Sequence, residues 1–182
     1  YYTNYLRLLA TTQIDDKLRA RCSPSDIVQE TFFEAHRDFG QFRGGSEAEF
    51  LAWLRQILLN NLGRIVEKHV LAAKRDVRRE ISLEQVKHGI ERSGTRLGSM
   101  LAASGASPSS AALHRENVVR LADCMAQLAP QYREVLVLRN FKSMPFERVA
   151  EEMGRKPGST RVLWLRAVKR LRELFDAQET TK

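Results

Sequence analysis

Residues 155–174, "RKPGSTRVLWLRAVKRLREL", carry seven basic side chains and meet no acid until Glu173. Apolar residues recur within them at helical spacing. A basic amphipathic helix can lie on a membrane, fill a partner's groove, read a DNA duplex, or simply present a solvated charged face. The residues just upstream narrow the choice. "PFERVAEEMG" (145–154) reads as a short helix whose inner face holds Val149, Ala150 and Met153. Ala150 is small enough for a close helix crossing. Gly154 can take the positive φ that ends such a helix, and Pro157 suits the first turn of the next. The pair has the proportions of a helix-turn-helix. In its second helix Thr160, Leu163, Trp164, Ala167, Leu171 and Leu174 form the inner stripe, which uses up the apolar face that a membrane surface would need. Arg161, Val162, Leu165, Arg166 and Lys169 point outward, with Lys156 and Ser159 at the start of the helix. The N-terminal half of such a helix is the part that enters a major groove. Arg suits bidentate guanine contact, while Lys156 and Lys169 suit phosphates.

Working backwards, "PQYREVLVLRNF" (130–141) begins with a helix-starting proline, and a further helix is expected over 113–128. Four helices within 113–182 make an all-α domain. Charge supports a polyanionic partner for it. The net +8 divides into +2 for 1–75, +1 for 76–112 and +5 for 113–182.

The N-terminal part is also helical. "SDIVQETFFEAHRDF" (25–39) puts Ile27, Val28, Thr31, Phe32, Ala35 and Phe39 on one stripe, with Ser23 or Ser25 as a cap and Pro24 in the first turn. The glycines of "FRGGS" (42–46) interrupt the chain. A second helix follows over about 47–69 with Phe50, Leu51, Leu54, Ile57, Leu58, Leu62 and Ile65 as its apolar set. The opening stretch 2–20 reads as a weaker helix. The fold expected is all-α: two small helical domains, 1–75 and 113–182, joined by a flexible linker over 76–112. That linker is rich in Gly, Ser, Ala and Pro ("GTRLGSMLAASGASPSSA"), with a short helix before it within 76–91.

Two features of the first domain carry chemistry. Asp26, Glu30, Glu34 and Asp38 recur every four residues. Like charges at that spacing weaken an isolated helix by a few tenths of a kcal/mol per pair, roughly, which a basic partner would offset. The helix over 47–69 offers Phe50, Trp53, Asn60, Asn61, Arg64 and Lys68. Aromatic rings can stack on unpaired bases, Asn can read a base edge, and Arg and Lys can hold phosphates. For Phe50 and Trp53 core packing is the stronger reading.

Other function classes find little footing. Cys22 and Cys124 lie far apart without ligand-spaced neighbours and read as two reduced thiols. His36, His69, His88 and His114 are scattered, and no phosphate-binding glycine loop or nucleophile motif occurs. No metal, no cofactor and no enzymatic activity are expected. No apolar run approaches the roughly 20 residues of a membrane span and no secretory signal is visible, so a cytoplasmic protein without membrane insertion is expected.

The stretch "LAPQYREVLVLRNFKSMPFERVAEEMGRKPGSTRVLWLRAVKRLREL" (128–174) resembles the C-terminal, fourth-region domain of bacterial sigma factors. "DIVQETFFEAHRDFGQFRG…FLAWLRQILLNN" (26–44 and 50–61) resembles their second-region domain. Both in this order, without a third domain between them, are similar to the extracytoplasmic-function group. The resemblance implies a sigma factor that binds core RNA polymerase and directs promoter-specific initiation. It implies that Lys156, Ser159, Arg161, Val162, Leu165, Arg166 and Lys169 contact the minus-35 duplex. Asn60, Asn61, Arg64 and Lys68 would melt and hold the minus-10 element, and Asp26, Gln29 and Glu30 would dock on the polymerase clamp. An anti-sigma protein is a further partner the group suggests. The chain departs from the pattern by two extra residues between Gly44 and Phe50, and by Val162 and Leu163 where polar or basic residues are common. A stand-alone helix-turn-helix regulator is the rival reading, and it leaves the acidic ladder and the Trp/Asn/Arg helix unexplained.

Overall fold

The computed structural model describes residues 1–14, 22–72, 88–89, 92, 96 and 111–179. Every regular element among them is helical, and they belong to two compact units, Tyr1–Arg92 and Ser93–Lys182. The linker expected over 76–112, and the short helix expected within 76–91, fall largely outside the described residues.

The first unit contains α1 (Thr3–Gln13), α2 (Pro24–Asp38) and α3 (Glu47–Ala72). Ser23 caps α2: its hydroxyl accepts a hydrogen bond from the Asp26 amide at 3.1 Å, while Pro24 stands where no donor is needed. The helix closes with a short 3-10 turn, Phe39–Gln41. A reciprocal capping box opens α3. The Ser46 hydroxyl accepts from the Glu49 amide at 3.3 Å, and the Glu49 carboxylate accepts from the amides of Gly45 at 2.9 Å and Ser46 at 3.1 Å.

The core of this unit takes Tyr5, Leu6 and Leu9 from α1, Ile27 and Val28 from α2, and Leu51, Leu54, Leu58 and Leu62 from α3. Each such leucine removed from water contributes about 1.5–3 kcal/mol. Two expectations change. The opening helix is not a marginal element, since Tyr5, Leu6 and Leu9 are fully buried. Phe39 does not continue the α2 stripe; it leaves the helix axis in the 3-10 turn and is 58% exposed.

The second unit contains α4 (Ala111–Gln127), α5 (Pro130–Leu136), α6 (Phe146–Glu152) and α7 (Pro157–Glu179). The α4–α5 corner is held by Arg133. Its guanidinium donates to the carbonyls of Met125 at 3.1 Å, Ala126 at 2.6 Å and Leu128 at 3.1 Å, satisfying groups that the end of α4 leaves without helical partners. The single helix expected over 130–141 is interrupted: Val137–Phe141 widens into a π turn closed by the Lys142 amide on the Val137 carbonyl at 2.9 Å. The turn rotates the end of this helix so that Val137, Leu138 and Phe141 all enter the core. Ser143 then reverses the chain at φ 54°.

The α6–α7 turn follows the expected design. Gly154 has φ +61°. Its amide bonds the Glu151 carbonyl at 3.1 Å and the Arg155 amide bonds the Ala150 carbonyl at 2.8 Å, the paired bonds of a Schellman stop. Val149 and Ala150 of α6 and Leu163, Ala167 and Leu171 of α7 are all buried, and the two helices pack against each other.

Candidate nucleic-acid interface

Burial along α7 separates two faces. Thr160, Leu163, Ala167, Leu171 and Phe175 are buried, and Trp164 and Leu174 are half-buried. Ser159, Arg161, Val162, Leu165, Arg166 and Lys169 are exposed, as is Lys156 just before the helix. The outward set expected from the sequence therefore shares one solvent-facing surface.

That surface is fixed from behind. The Trp164 indole N–H donates to the Asn140 side-chain oxygen at 2.9 Å, and its ring meets Phe146 edge-on at 5.7 Å. Arg161 is not a loose cation. Its guanidinium pairs with Glu147 of α6 at 3.0 Å and lies 5.6 Å from the centre of the Phe146 ring. Both partners are well exposed, so the pair orients Arg161 more than it stabilises the domain. Arg155 donates to the Gln131 side chain at 2.9 Å, tying the turn back to α5.

Beside this face an open groove of about 290 Å3 runs between the α4–α5 corner and α7. Tyr132, Arg166, Lys169 and Arg170 line it, with Glu173, which pairs with Arg170 at 3.0 Å. Arg166 and Lys169 thus border both the outward face and the groove, a placement suited to anionic backbone.

In the first unit the acids of α2 do not form one ladder. Asp26, Gln29 and Glu30 are exposed. Glu34 is buried at 9% side-chain exposure and its carboxylate accepts from Arg64 of α3 at 2.6 Å; Asp38 pairs with its neighbour Arg37 at 2.8 Å. The Arg37 guanidinium holds the Asp38 carboxyl below its ordinary range. The exposed acidic patch is therefore Asp26 and Glu30 alone.

On α3, Asn60 and Lys68 are exposed, and Asn60 accepts from the Gln56 amide at 3.0 Å. Arg64 keeps 58% of its side chain exposed while one guanidinium nitrogen holds Glu34. Asn61 contradicts its expected role. It is 4% exposed and its amide donates to the Thr31 hydroxyl at 3.3 Å, while that hydroxyl donates to the Ile27 carbonyl at 2.7 Å. Burial in the α2–α3 seam, more than the bond itself, keeps this side chain away from a base edge.

Phe50 and Trp53 are half-buried in a ring cluster with Tyr2, Phe39 and Phe42; Phe42 and Trp53 approach to 5.1 Å between centres. The Tyr2 hydroxyl adds a bond to Glu47 at 2.6 Å. Packing is the role this geometry gives the two aromatic residues. Burial pushes the Cys124 thiol up to about 11, and it raises Cys22 as well, so neither thiol is activated. Among the described residues no three His, Cys, Asp or Glu side chains gather as a metal-holding group, and no helix is long and apolar enough to cross a membrane.

Residues 119–171, from within α4 to within α7, match the family model described as sigma-70, region 4. That match and the two relatives that follow support an RNA polymerase sigma factor of extracytoplasmic-function type. The chain is 29% identical over 154 residues to the RNA polymerase sigma factor CarQ of Myxococcus xanthus, which covers 85% of this chain and 75% of that protein. It is also 29% identical over 143 residues to the RNA polymerase sigma-H factor of Pseudomonas aeruginosa, covering 78% and 67%. The likeness supports a part in promoter-specific transcription initiation and implies core RNA polymerase and promoter DNA as partners. Sequence reasoning missed Arg133, which closes the α4–α5 corner, and Asn140 and Glu147, which hold Trp164 and Arg161 of α7 from other elements. No periodic pattern marks such residues; only their contacts do.

Proposed function

We propose that this sigma factor reads the minus-35 duplex with the outward face of α7 and opens and holds the minus-10 strand with α3. The observation that carries the reading is the α7 face itself: Arg161, Arg166 and Lys169 exposed along one side of a helix that a Schellman turn and Trp164 hold rigidly. Arg161 and Arg166 are the base-reading cations, and Lys156, Ser159 and Lys169 hold flanking phosphates.

On α3, Asn60, Arg64 and Lys68 form the proposed single-strand contact, with Asn60 on an unstacked base and the two cations on phosphates. Asp26, Gln29 and Glu30 form the proposed polymerase dock. Residues 1–75 and 113–182 are the corresponding working domains. The proposed site of action is the cytoplasm, and inhibition by an anti-sigma protein belongs to the same reading.

The test is size-exclusion chromatography of the chain with its cognate core polymerase, followed by permanganate footprinting on genomic fragments. Co-elution and reactive thymines upstream of a start site are expected. Separate elution, or co-elution without strand opening on any fragment, overturns the reading.

A further inference from the structure

Five large apolar side chains are strongly exposed among the described residues, and two of them, Val162 at 47% and Leu165 at 60%, sit together on the outward face of α7. A single exposed leucine needs no explanation. Two apolar residues one turn apart, set among Arg161, Arg166 and Lys169, are a different matter: water is the least suitable neighbour for them and a polyanion the most suitable for the rest.

A B-DNA major groove answers both demands. Its walls are phosphates, and the apolar group its unmodified base edges present is the C5-methyl of thymine. We infer that Val162 and Leu165 recognise thymine methyl groups, so that the duplex bound by this chain carries A·T pairs at the centre of the α7 footprint and G·C pairs where Arg161 and Arg166 reach. This rests on the reading of α7 as the duplex-facing helix and adds what that helix selects.

The spacing fits. Residues three apart on a helix have Cβ atoms roughly 5–6 Å apart, and base pairs stack at about 3.4 Å, so the two side chains span one or two base-pair steps. Val162 is β-branched and confined at χ1, which makes it a fixed probe rather than an adaptable one. The aliphatic pair also ties specificity to a group that neither lysine nor arginine can sense. The cationic frame argues against a protein groove as occupant, and the inner stripe of α7 is already packed against α6.

The experiment uses the full chain assembled with core polymerase. Duplexes are selected from a randomised pool, and each thymine of the enriched motif is replaced in turn by deoxyuridine, which deletes the methyl and leaves base pairing intact. At one or two thymines the replacement should weaken binding about fourfold each, the factor corresponding to the ~0.8 kcal/mol of one buried apolar carbon. Val162→Ala and Leu165→Ala, both at exposed positions, should each abolish the penalty at one thymine while leaving polymerase binding unchanged. An enriched motif without thymine, or one indifferent to deoxyuridine, overturns the inference and leaves the minus-35 reading standing. Loss of polymerase binding by the two variants, with deoxyuridine silent, also overturns it and makes the face a protein contact. No enriched motif at all overturns both readings.

Discussion

The Asn61 amide lies 3.3 Å from the Thr31 hydroxyl in the buried seam between α2 and α3, while Asn60, one residue earlier, is exposed. Adjacent asparagines thus have opposite duties. Asn61→Ala removes a buried interhelical bond and leaves a small void, and should lower stability by about 1–2 kcal/mol. Asn60→Ala should change stability by less than about 0.5 kcal/mol and impair strand opening without affecting duplex binding. Urea unfolding and permanganate reactivity read the two effects. Equal destabilisation by both variants would contradict the assignment.

Glu34 and Arg64 couple the same two helices at 2.6 Å, with the acid buried and the base half in water. Arg64→Ala leaves a carboxylate in a largely apolar seam. Because water still reaches the site, the expected loss is about 1 kcal/mol rather than the larger cost of a fully buried pair. Glu34→Gln on the Arg64→Ala background should recover part of it, since the amide carries no charge to strand. A thermal-shift double-mutant cycle measures the coupling, and strictly additive effects would sink this account.

Charge reversal at Asp26 and Glu30 should abolish co-elution with core polymerase and leave helical content by circular dichroism unchanged, because both side chains are exposed. Reversal at Glu34 should instead unfold the first unit in part. If the Asp26→Lys, Glu30→Lys protein still bound core polymerase at undiminished affinity, the proposed dock would lie elsewhere.

The Glu49 carboxyl is held below its ordinary range, first by the Gly45 amide and then by the Ser46 hydroxyl and amide. A carboxyl depressed in the folded state stabilises the fold above its unfolded value, about 4.3, and that contribution is lost as pH falls through the lower folded value. Asp38 titrates with the same sign under the influence of Arg37. Stability should therefore fall below pH ~4.5, and Glu49→Gln should flatten part of the slope. A variant with an unchanged acid limb in pH-dependent urea titrations would refute the role of the capping box.

The helix-turn-helix was legible because its signals are local: Gly154 supplies the left-handed stop, Pro157 starts the next helix, and the inner stripe of α7 follows from spacing. The acidic ladder misled for a geometric reason. A step of four residues overshoots one helical turn by roughly 40°, so two steps carry a side chain about 80° around the axis. That rotation takes Glu34 from the solvent face of Asp26 into the seam with α3. Asn61 was misjudged because a polar residue in an interface looks, in sequence, like a polar residue in a site. The π turn at Val137–Phe141 and the Arg133 cap depend on tertiary contacts that no pattern of spacing encodes.

Run-off transcription with reconstituted core polymerase tests the central claim most directly. Genomic fragments are transcribed with core alone, with core plus this chain, and with core plus the Arg161→Ala, Arg166→Ala variant. The account predicts discrete transcripts that require the chain, share an upstream duplex motif and disappear or lose promoter preference with the variant. Transcripts that are the same without the chain, or that keep full promoter preference when both arginines are removed, would contradict it.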